Sequence, residues 1–264
     1  MEINRSNINE LVNKCSAKPD KDYGQNFLVE PQIAEKIVDS LELTKEDKVL
    51  EIGPGLGSLT HFLFQKCQLD VCDIDYRMID FLKIFYKEDI NFILNDVRKI
   101  NVSGYTKIIG NLPYNITTEL VTFLLLNSSA KRMVLMCQSE AFNRFYDLSG
   151  ENYGPVSILL HLLGTSKKVL TVKPGSFYPA PKCNSLVFVF DSLPTIDKET
   201  AINVYKMSKT IFLNRRKTIL NNLSNVIGKE KAISILKELN IEENRRPETI
   251  SPTDYLQIYL RIKN

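Results

Sequence analysis

The run Lys48-Val49-Leu50-Glu51-Ile52 passes directly into Gly53-Pro54-Gly55-Leu56-Gly57. Little other than a strand-turn-helix unit of a parallel α/β sheet accommodates that succession, because side-chain-free positions let the backbone turn sharply and come close to a ligand. The flanking pattern agrees. Helical spacing at residues 33–41, 59–65 and 78–86 alternates with strand signals at 48–52, 69–74, 91–94 and 107–109. This predicts a mostly parallel sheet with covering helices over 31–168. Runs at 169–172 and 185–190 flank a Pro/Gly-rich turn and are expected to finish the sheet as antiparallel strands. After a linker at 191–197, punctuated by Pro194, the chain reads as helical. Val204, Ile211, Phe212, Ile219 and Leu223 line one side of a long helix, and shorter helices follow around 233–239 and 253–262. The expected organisation is an N-terminal extension over 1–22, an α/β domain over 23–192 and a smaller all-helical domain over 193–264.

Composition narrows the class. At 264 residues and 44% apolar content, the chain can bury one full core with enough left for a small second domain. Five cysteines, at 15, 67, 72, 137 and 183, are scattered and odd in number. They lack the paired spacing of a zinc site, so no metal is expected, and they read as reduced thiols of a cytosolic protein. Residues 1–22 hold no apolar core of signal-peptide length, and no run approaches the roughly eighteen apolar residues of a membrane span. A net charge of +3 is too small to identify a polyanion binder. Residues 191–264 nevertheless carry 13 Lys+Arg against 9 Asp+Glu.

The glycines are spaced GxGxG. A dinucleotide loop spaces them GxGxxG and aims a helix N-terminus at pyrophosphate. S-adenosylmethionine (SAM) has no phosphates, and the spacing favours it over NAD. Asp73 and Asp75 follow the next strand, where a carboxylate can accept both ribose hydroxyls. Asp73 is the better placed, with Asp75 a solvated or capping residue. Asn95-Asp96 closes the third strand, where a carboxylate can accept from an adenine amino group.

Downstream, a fourth strand ends in Asn111-Leu112-Pro113-Tyr114. An exocyclic amine on adenine is a poor nucleophile because its lone pair is delocalised into the ring. The Asn111 side-chain oxygen and a backbone carbonyl, at Leu112 or Pro113, could bind both amino hydrogens and turn the lone pair toward a methyl donor. Pro113 fixes the turn without offering an N–H, and Tyr114 can stack on the base. Orientation of this kind supplies on the order of 7 kcal/mol or more, and no general base is required. The only histidines, His61 and His161, fall inside predicted helices and read as packing residues.

With these motifs assembled, the chain resembles the KsgA/RsmA family of small-subunit rRNA adenine dimethyltransferases, which are related to the Erm enzymes. The resemblance runs from about Tyr23 to Tyr259. It rests on Gly24-Gln25-Asn26-Phe27-Leu28, the glycine loop, Asn111-Leu-Pro-Tyr-Asn-Ile116, Tyr153-Gly154, Phe177-Tyr-Pro-Ala-Pro-Lys182, Arg215-Arg-Lys-Thr-Ile-Leu-Asn-Asn-Leu223 and Arg246-Pro-Glu-Thr-Ile-Ser251. It implies a Rossmann-like SAM-dependent methyltransferase sheet with a helical C-terminal domain. It further implies that Asn26, Leu28, Gly53, Asp73, Asp96 and Asn111 contact SAM, with Gln25, Gly55 and Gly57 beside them. Tyr114 and Phe177 are expected to sandwich a flipped-out adenine. Arg215, Arg216 and Lys217, on a helix of the second domain, are expected to contact RNA phosphates. Family members carry Glu where this chain has Asp73. They carry a basic cluster where Lys18 and Lys21 here alternate with Asp20 and Asp22, and Lys and Arg in place of Ser139 and Pro155.

The resemblance implies N6,N6-dimethylation of two adjacent adenosines near the 3′ end of small-subunit (16S) rRNA, on an immature subunit. The scattered thiols and the missing signal and span predict a cytoplasmic protein, and with one compact catalytic unit and an RNA-binding lobe a monomer is the default expectation. Two other readings stay open at this point. One is an Erm-type enzyme acting on large-subunit rRNA, although those enzymes carry Lys inside the glycine loop and lack the Arg-Arg-Lys-Thr segment. The other is an assembly factor that acts mainly by binding.

Overall fold

Four strand segments, of which the first runs into the glycine loop and the others into Ile-Asp, Asn-Asp and Leu-Pro turns, lie side by side in one sheet. The computed structural model describes residues 1–15, 25–194 and 196–263; Tyr23, Gly24 and the 18–22 stretch lie outside them. In chain order come α1 (Ile8–Lys14), β1 (Phe27–Leu28), α2 (Pro31–Asp39), β2 (Lys48–Ile52), α3 (Thr60–Leu63), β3 (Gln68–Asp73), α4 (Tyr76–Tyr86), β4 (Asn91–Leu94), β5 (Lys107–Asn111), α5 (Thr117–Asn127) and β6 (Arg132–Gln138). Then follow α6 (Ser139–Tyr146), α7 (Pro155–Leu163), β7 (Gly164–Val172), β8 (Phe177–Tyr178), β9 (Ser185–Ser192), α8 (Lys198–Phe212), α9 (Ile219–Ile227), α10 (Lys229–Glu238) and α11 (Pro252–Lys263).

The chain divides into two compact units, Met1–Phe142 with Lys167–Asp191 and Asn143–Ser166 with Ser192–Asn264. A single cut near residue 192 therefore does not describe it. Residues 143–166 group with the C-terminal helices because α7 is apolar on most sides, with Ile158, Leu159, Leu160, Leu162 and Leu163 all buried, and packs against α8 and α11. His161, expected to be a packing residue, lies on the exposed side of α7. The N-terminal residues are also structural: Ile3, Ile8, Leu11 and Val12 join the core of the first unit.

The first unit holds a seven-stranded sheet in the order β4-β3-β2-β5-β6-β9-β7. The β2, β3, β4, β5 and β6 pairings are parallel, and β9 runs antiparallel to β6. Strand order reverses between β2 and β5, the switch point at which open α/β sheets bind ligands. Register sets the details: Ile52 lies opposite both Cys72 and Gly110. The next residue of each strand, Gly53, Asp73 and Asn111, therefore comes level at the C-terminal edge. Asp73 lies opposite Leu94, so Asn95 and Asp96 fall just beyond it.

Helix α5 and strand β6 are absent from the sequence-based expectation. The α5 sequence, TTELVTFLLLN, is apolar around most of its circumference, so the 3.6-residue period is faint. The long helix expected through Leu223 is also corrected: α8 stops at Phe212 and α9 starts at Ile219. The break is made by tertiary bonds. The buried Asn222 donates from Nδ2 to the carbonyls of Asn214, Lys217 and Thr218, and the Ile219 N–H donates to the Arg245 carbonyl. Thr218 caps the new helix by accepting from the Asn221 N–H.

Candidate active site

The level ends of β2, β3, β4 and β5 open onto one cleft. Its lining includes Gln25, Asn26, Leu28, Gly53, Gly55, Asp73, Asp96, Asn111 and Pro113 from the sequence-predicted set, together with Glu51, Ser58, Ile74, Arg98 and Met136. Gly53 and Gly55 adopt φ of +65° and +54°, the left-handed region that glycine tolerates best. A Cβ on Gly55 would sit 3.1 Å from the Phe27 ring, so this glycine admits both a tight turn and the β1 strand above it. Gly57 does not line the cleft; a Cβ there would stand 2.7 Å from Leu82, and its work is close packing of the turn on α4.

Three carboxylates face this space. Glu51 is 1% exposed, accepts from Thr60 Oγ1 at 2.7 Å, and burial pushes its carboxyl up to about 8. Burial also pushes Asp73 up to about 6, while backbone N–H groups, that of Asp75 among them at 2.9 Å, pull the other way. Asp96 receives both Nε and Nη2 of Arg98, and those bonds hold its carboxyl below the usual carboxylate range. Arg98 also reaches Glu119 on α5 at 2.5 Å. A cleft whose carboxyl groups offer acceptor oxygens suits a ligand that presents hydroxyl and amino donors, as SAM does. Asp75 stays out of the cleft and is buried, not solvated. It caps α4 through the Arg77 N–H and accepts from Gln25 Nε2 at 2.8 Å, which fixes the Gln25 side chain.

The Asn-Leu-Pro-Tyr turn is tied down residue by residue. Asn111 Nδ2 donates to the Asn26 carbonyl at 3.1 Å, which leaves Oδ1 as the acceptor of that side chain. The Leu112 N–H donates to the Met136 carbonyl, and the Pro113 carbonyl accepts from the Ile116 N–H and Thr117 Oγ1. Among the described residues none donates to the Leu112 carbonyl, so of the two backbone acceptors considered it is Leu112 that is left for a ligand. Tyr114 places its hydroxyl 2.6 Å from Ser185 Oγ.

Leu112, Tyr114 and Phe177 do not line the cleft. Leu112 is buried, and Phe177, 4% exposed, pairs with Leu28 in a two-stranded β1-β8 ladder. Arg215, Arg216 and Lys217 belong to the second unit, in the segment between α8 and α9 and not on a helix. Arg215 gives both terminal nitrogens to the carbonyls of Glu151 and Gly150, while Arg216 and Lys217 are exposed.

Sequence reasoning missed Arg98 and Gly110. A Cβ on Gly110 would stand 2.6 Å from the Ile52 carbonyl oxygen, and a glycine inside a strand is a signal of such close backbone approach. No pattern marks Arg98.

Residues 16–264 match the family model for ribosomal RNA adenine dimethylase. The ribosomal RNA small subunit methyltransferase A of Malacoplasma penetrans is 36% identical over 89% of this chain and 89% of its own length. That of Mesoplasma florum is 37% identical over 93% and 98%. In fold, the chain is similar to a dimethyladenosine transferase from Plasmodium falciparum, with a TM-score of 0.79 at 23% identity over 90% of this chain and 97% of that one. It is also similar to the 23S rRNA methyltransferase ErmE, with a TM-score of 0.72 at 19% identity over 90% and 100%. The chain belongs to the ribosomal RNA adenine dimethylase family.

Proposed function

We propose that this protein dimethylates N6 of two adjacent adenosines near the 3′ end of small-subunit rRNA, using SAM, on an immature subunit and as a cytoplasmic monomer. The observation that carries the chemistry is the pair of acceptors at the end of β5. Asn111 is oriented by the Asn26 carbonyl, and the Leu112 carbonyl has no donor among the described residues. The small-subunit assignment is supported by relatives of that name at 36% and 37% identity across most of the chain.

SAM supplies an electrophilic methyl group on a sulfonium. The residues present suit it: glycines at positive φ let the backbone approach, Asp73 accepts from ribose hydroxyls and Asp96 from the adenine amino group, and Gln25, Asn26 and Leu28 line the same cleft. Asn111 Oδ1 and the Leu112 carbonyl accept the two hydrogens of the target amine and localise its lone pair. Holding that geometry contributes most of the rate, and the cationic product amine loses its proton to water. Tyr114 stacks on the extruded base. Phe177, the other stacking residue the resemblance implies, is buried in the β1-β8 ladder beside Leu28. Arg216 and Lys217 contact phosphate, whereas Arg215 holds their segment in place.

The test is methyl incorporation from labelled SAM into purified unmethylated small subunits and, separately, large-subunit rRNA, with modified nucleotides located by mass spectrometry. Dimethyladenosine at two adjacent small-subunit positions is expected. Label confined to large-subunit rRNA would refute the assignment, and no label on either would refute the reaction.

A further inference from the structure

One fully buried hydroxyl beside the transfer turn has no part in the scheme so far. Ser185 opens β9, a strand whose next five residues, Leu186, Val187, Phe188, Val189 and Phe190, are buried and apolar, and Ser185 itself is 0% exposed. A hydroxyl in that setting is destabilising unless it is paired. Its partner is Tyr114, oxygen to oxygen at 2.6 Å.

The position of Ser185 in the sheet gives that bond a use. Ser185 lies opposite Gln138 in the β6-β9 ladder, two residues past Met136, whose carbonyl holds the Leu112 N–H. Adjacent strands therefore grip two residues of the same four-residue turn. Asn111 is held from β1's approach by Asn26, and Pro113 by Thr117 at the start of α5. Like Asn111, Tyr114 acts through its side chain, but its ring reaches further from the backbone and is held at its far end by the Ser185 bond. Its Cα is fixed by the turn, but its ring can still rotate about Cα–Cβ unless the far end is anchored.

We propose that Ser185 is a positioning residue for methyl transfer, its hydroxyl anchoring the Tyr114 phenol so that the ring plane is preset for the adenine base. The proposal rests on the reading of Tyr114 as the base-stacking residue. The phenol oxygen then serves as an anchor and not as a proton carrier, in keeping with burial, which raises its pKa and keeps it neutral. Preset aromatic planes save the ordering that binding would otherwise require. The effect belongs in the acceptor-dependent step and leaves the cofactor untouched.

The experiment compares Ser185→Ala, Ser185→Thr, Tyr114→Phe, Tyr114→Ala and the Ser185→Ala/Tyr114→Phe double variant. Readouts are kcat and KM for unmethylated small subunits, binding of S-adenosylhomocysteine by calorimetry, and melting temperature. Ser185→Ala and Tyr114→Phe each break the same bond, so each is expected to lower kcat/KM by roughly threefold to tenfold. The double variant is expected to be no worse than either single one, Ser185→Thr to recover most of the loss, and cofactor binding to stay unchanged throughout. Additive losses, a Tyr114→Phe enzyme with full activity, or a loss confined to cofactor binding would each overturn the anchor. Should Ser185→Ala fail to fold, Tyr114→Phe decides the matter, because it keeps the serine and the ring and removes only the phenol oxygen, with melting temperature reporting the cost of the unpaired serine hydroxyl. Tyr114→Ala separates the two levels. If it abolishes transfer while Tyr114→Phe is fully active, stacking stands and the anchor falls; if it is fully active itself, the stacking reading falls as well.

Discussion

Substituting Gly110 by Ala puts the close pairing of β2 and β5 under strain at the point where it matters most for transfer. The added Cβ would lie 2.6 Å from the backbone oxygen of Ile52 and 3.1 Å from its Cβ, whereas ordinary contact begins at 3.4 Å. The obstacle is backbone, so no rotamer relieves it, and the strands must part by about 0.8 Å, the difference between 3.4 and 2.6. Overpacking of this kind costs roughly 1–3 kcal/mol of stability, which a sheet of seven strands can absorb. Asn111 is the next residue, and in the proposed scheme its Oδ1 meets an amine hydrogen at hydrogen-bond distance. A misplacement near 1 Å costs about a hundredfold in rate. Gly110→Ala is therefore expected to fold with a lowered denaturation midpoint and to lose about two orders of magnitude in single-turnover methyl transfer. Gly104→Ala is the control, since a Cβ there meets nothing within 4 Å, and it should leave both quantities unchanged. A Gly110→Ala enzyme within a few-fold of wild type would refute the argument that β2-β5 contact sets the position of Asn111.

Asn111→Ala should abolish transfer while S-adenosylhomocysteine binding, measured by calorimetry, falls only a few-fold, since the cleft is lined by many other groups. Glu51 has a folded-state pKa raised from 4.5 to about 8 by burial, so its contribution to stability is fully present below pH 4.5 and is lost as pH rises to about 8. Urea titrations across that window should show a decline that Glu51→Gln flattens; an identical pH slope in both proteins would exclude Glu51 as its source. Arg216→Ala and Lys217→Ala should each weaken small-subunit binding and shrink the log-log salt slope by roughly 0.7 to 0.9. Arg215→Ala should instead lower the melting temperature, because it releases the Gly150 and Glu151 carbonyls.

What the sequence discloses and what it hides divide along the range of the interactions involved. The glycine loop, the carboxylates after β3 and β4 and the Asn-Leu-Pro-Tyr turn are local signals, because strand, turn and ligand-facing residue are consecutive in the chain. Gly53, Gly55, Asp73, Asp96, Asn111 and Pro113 arrive at one cleft because the register makes the strand ends level, while Gly57, Asp75, Leu112 and Tyr114 stay out of it. The break between α8 and α9 is invisible locally, since Ile211, Ile219 and Leu223 keep helical spacing straight through it. It is imposed by Asn222 and by the Arg245 carbonyl, more than twenty residues onward for the latter. The same holds for Arg215, whose charge suggests phosphate but whose nitrogens are committed to carbonyls over sixty residues away. The affiliation of residues 143–166 with the C-terminal helices depends on packing that no segment of the sequence displays alone.

The two acceptors proposed at the end of β5, Asn111 Oδ1 and the Leu112 carbonyl, match an amine that carries two hydrogens. After one methyl has been delivered, the same nitrogen carries a single hydrogen, and the turn, tied at every residue, cannot rearrange to suit it. The second round then proceeds with one acceptor unmet, a deficit of about 1–3 kcal/mol for a buried polar group, and the new methyl must rotate away from the incoming donor. A frame well fitted to unmodified adenosine is thus less well fitted to its own first product. Singly methylated adenosine should accumulate transiently in a time course, and the rate of the second addition, more than that of the first, should govern how completely each nucleotide is modified.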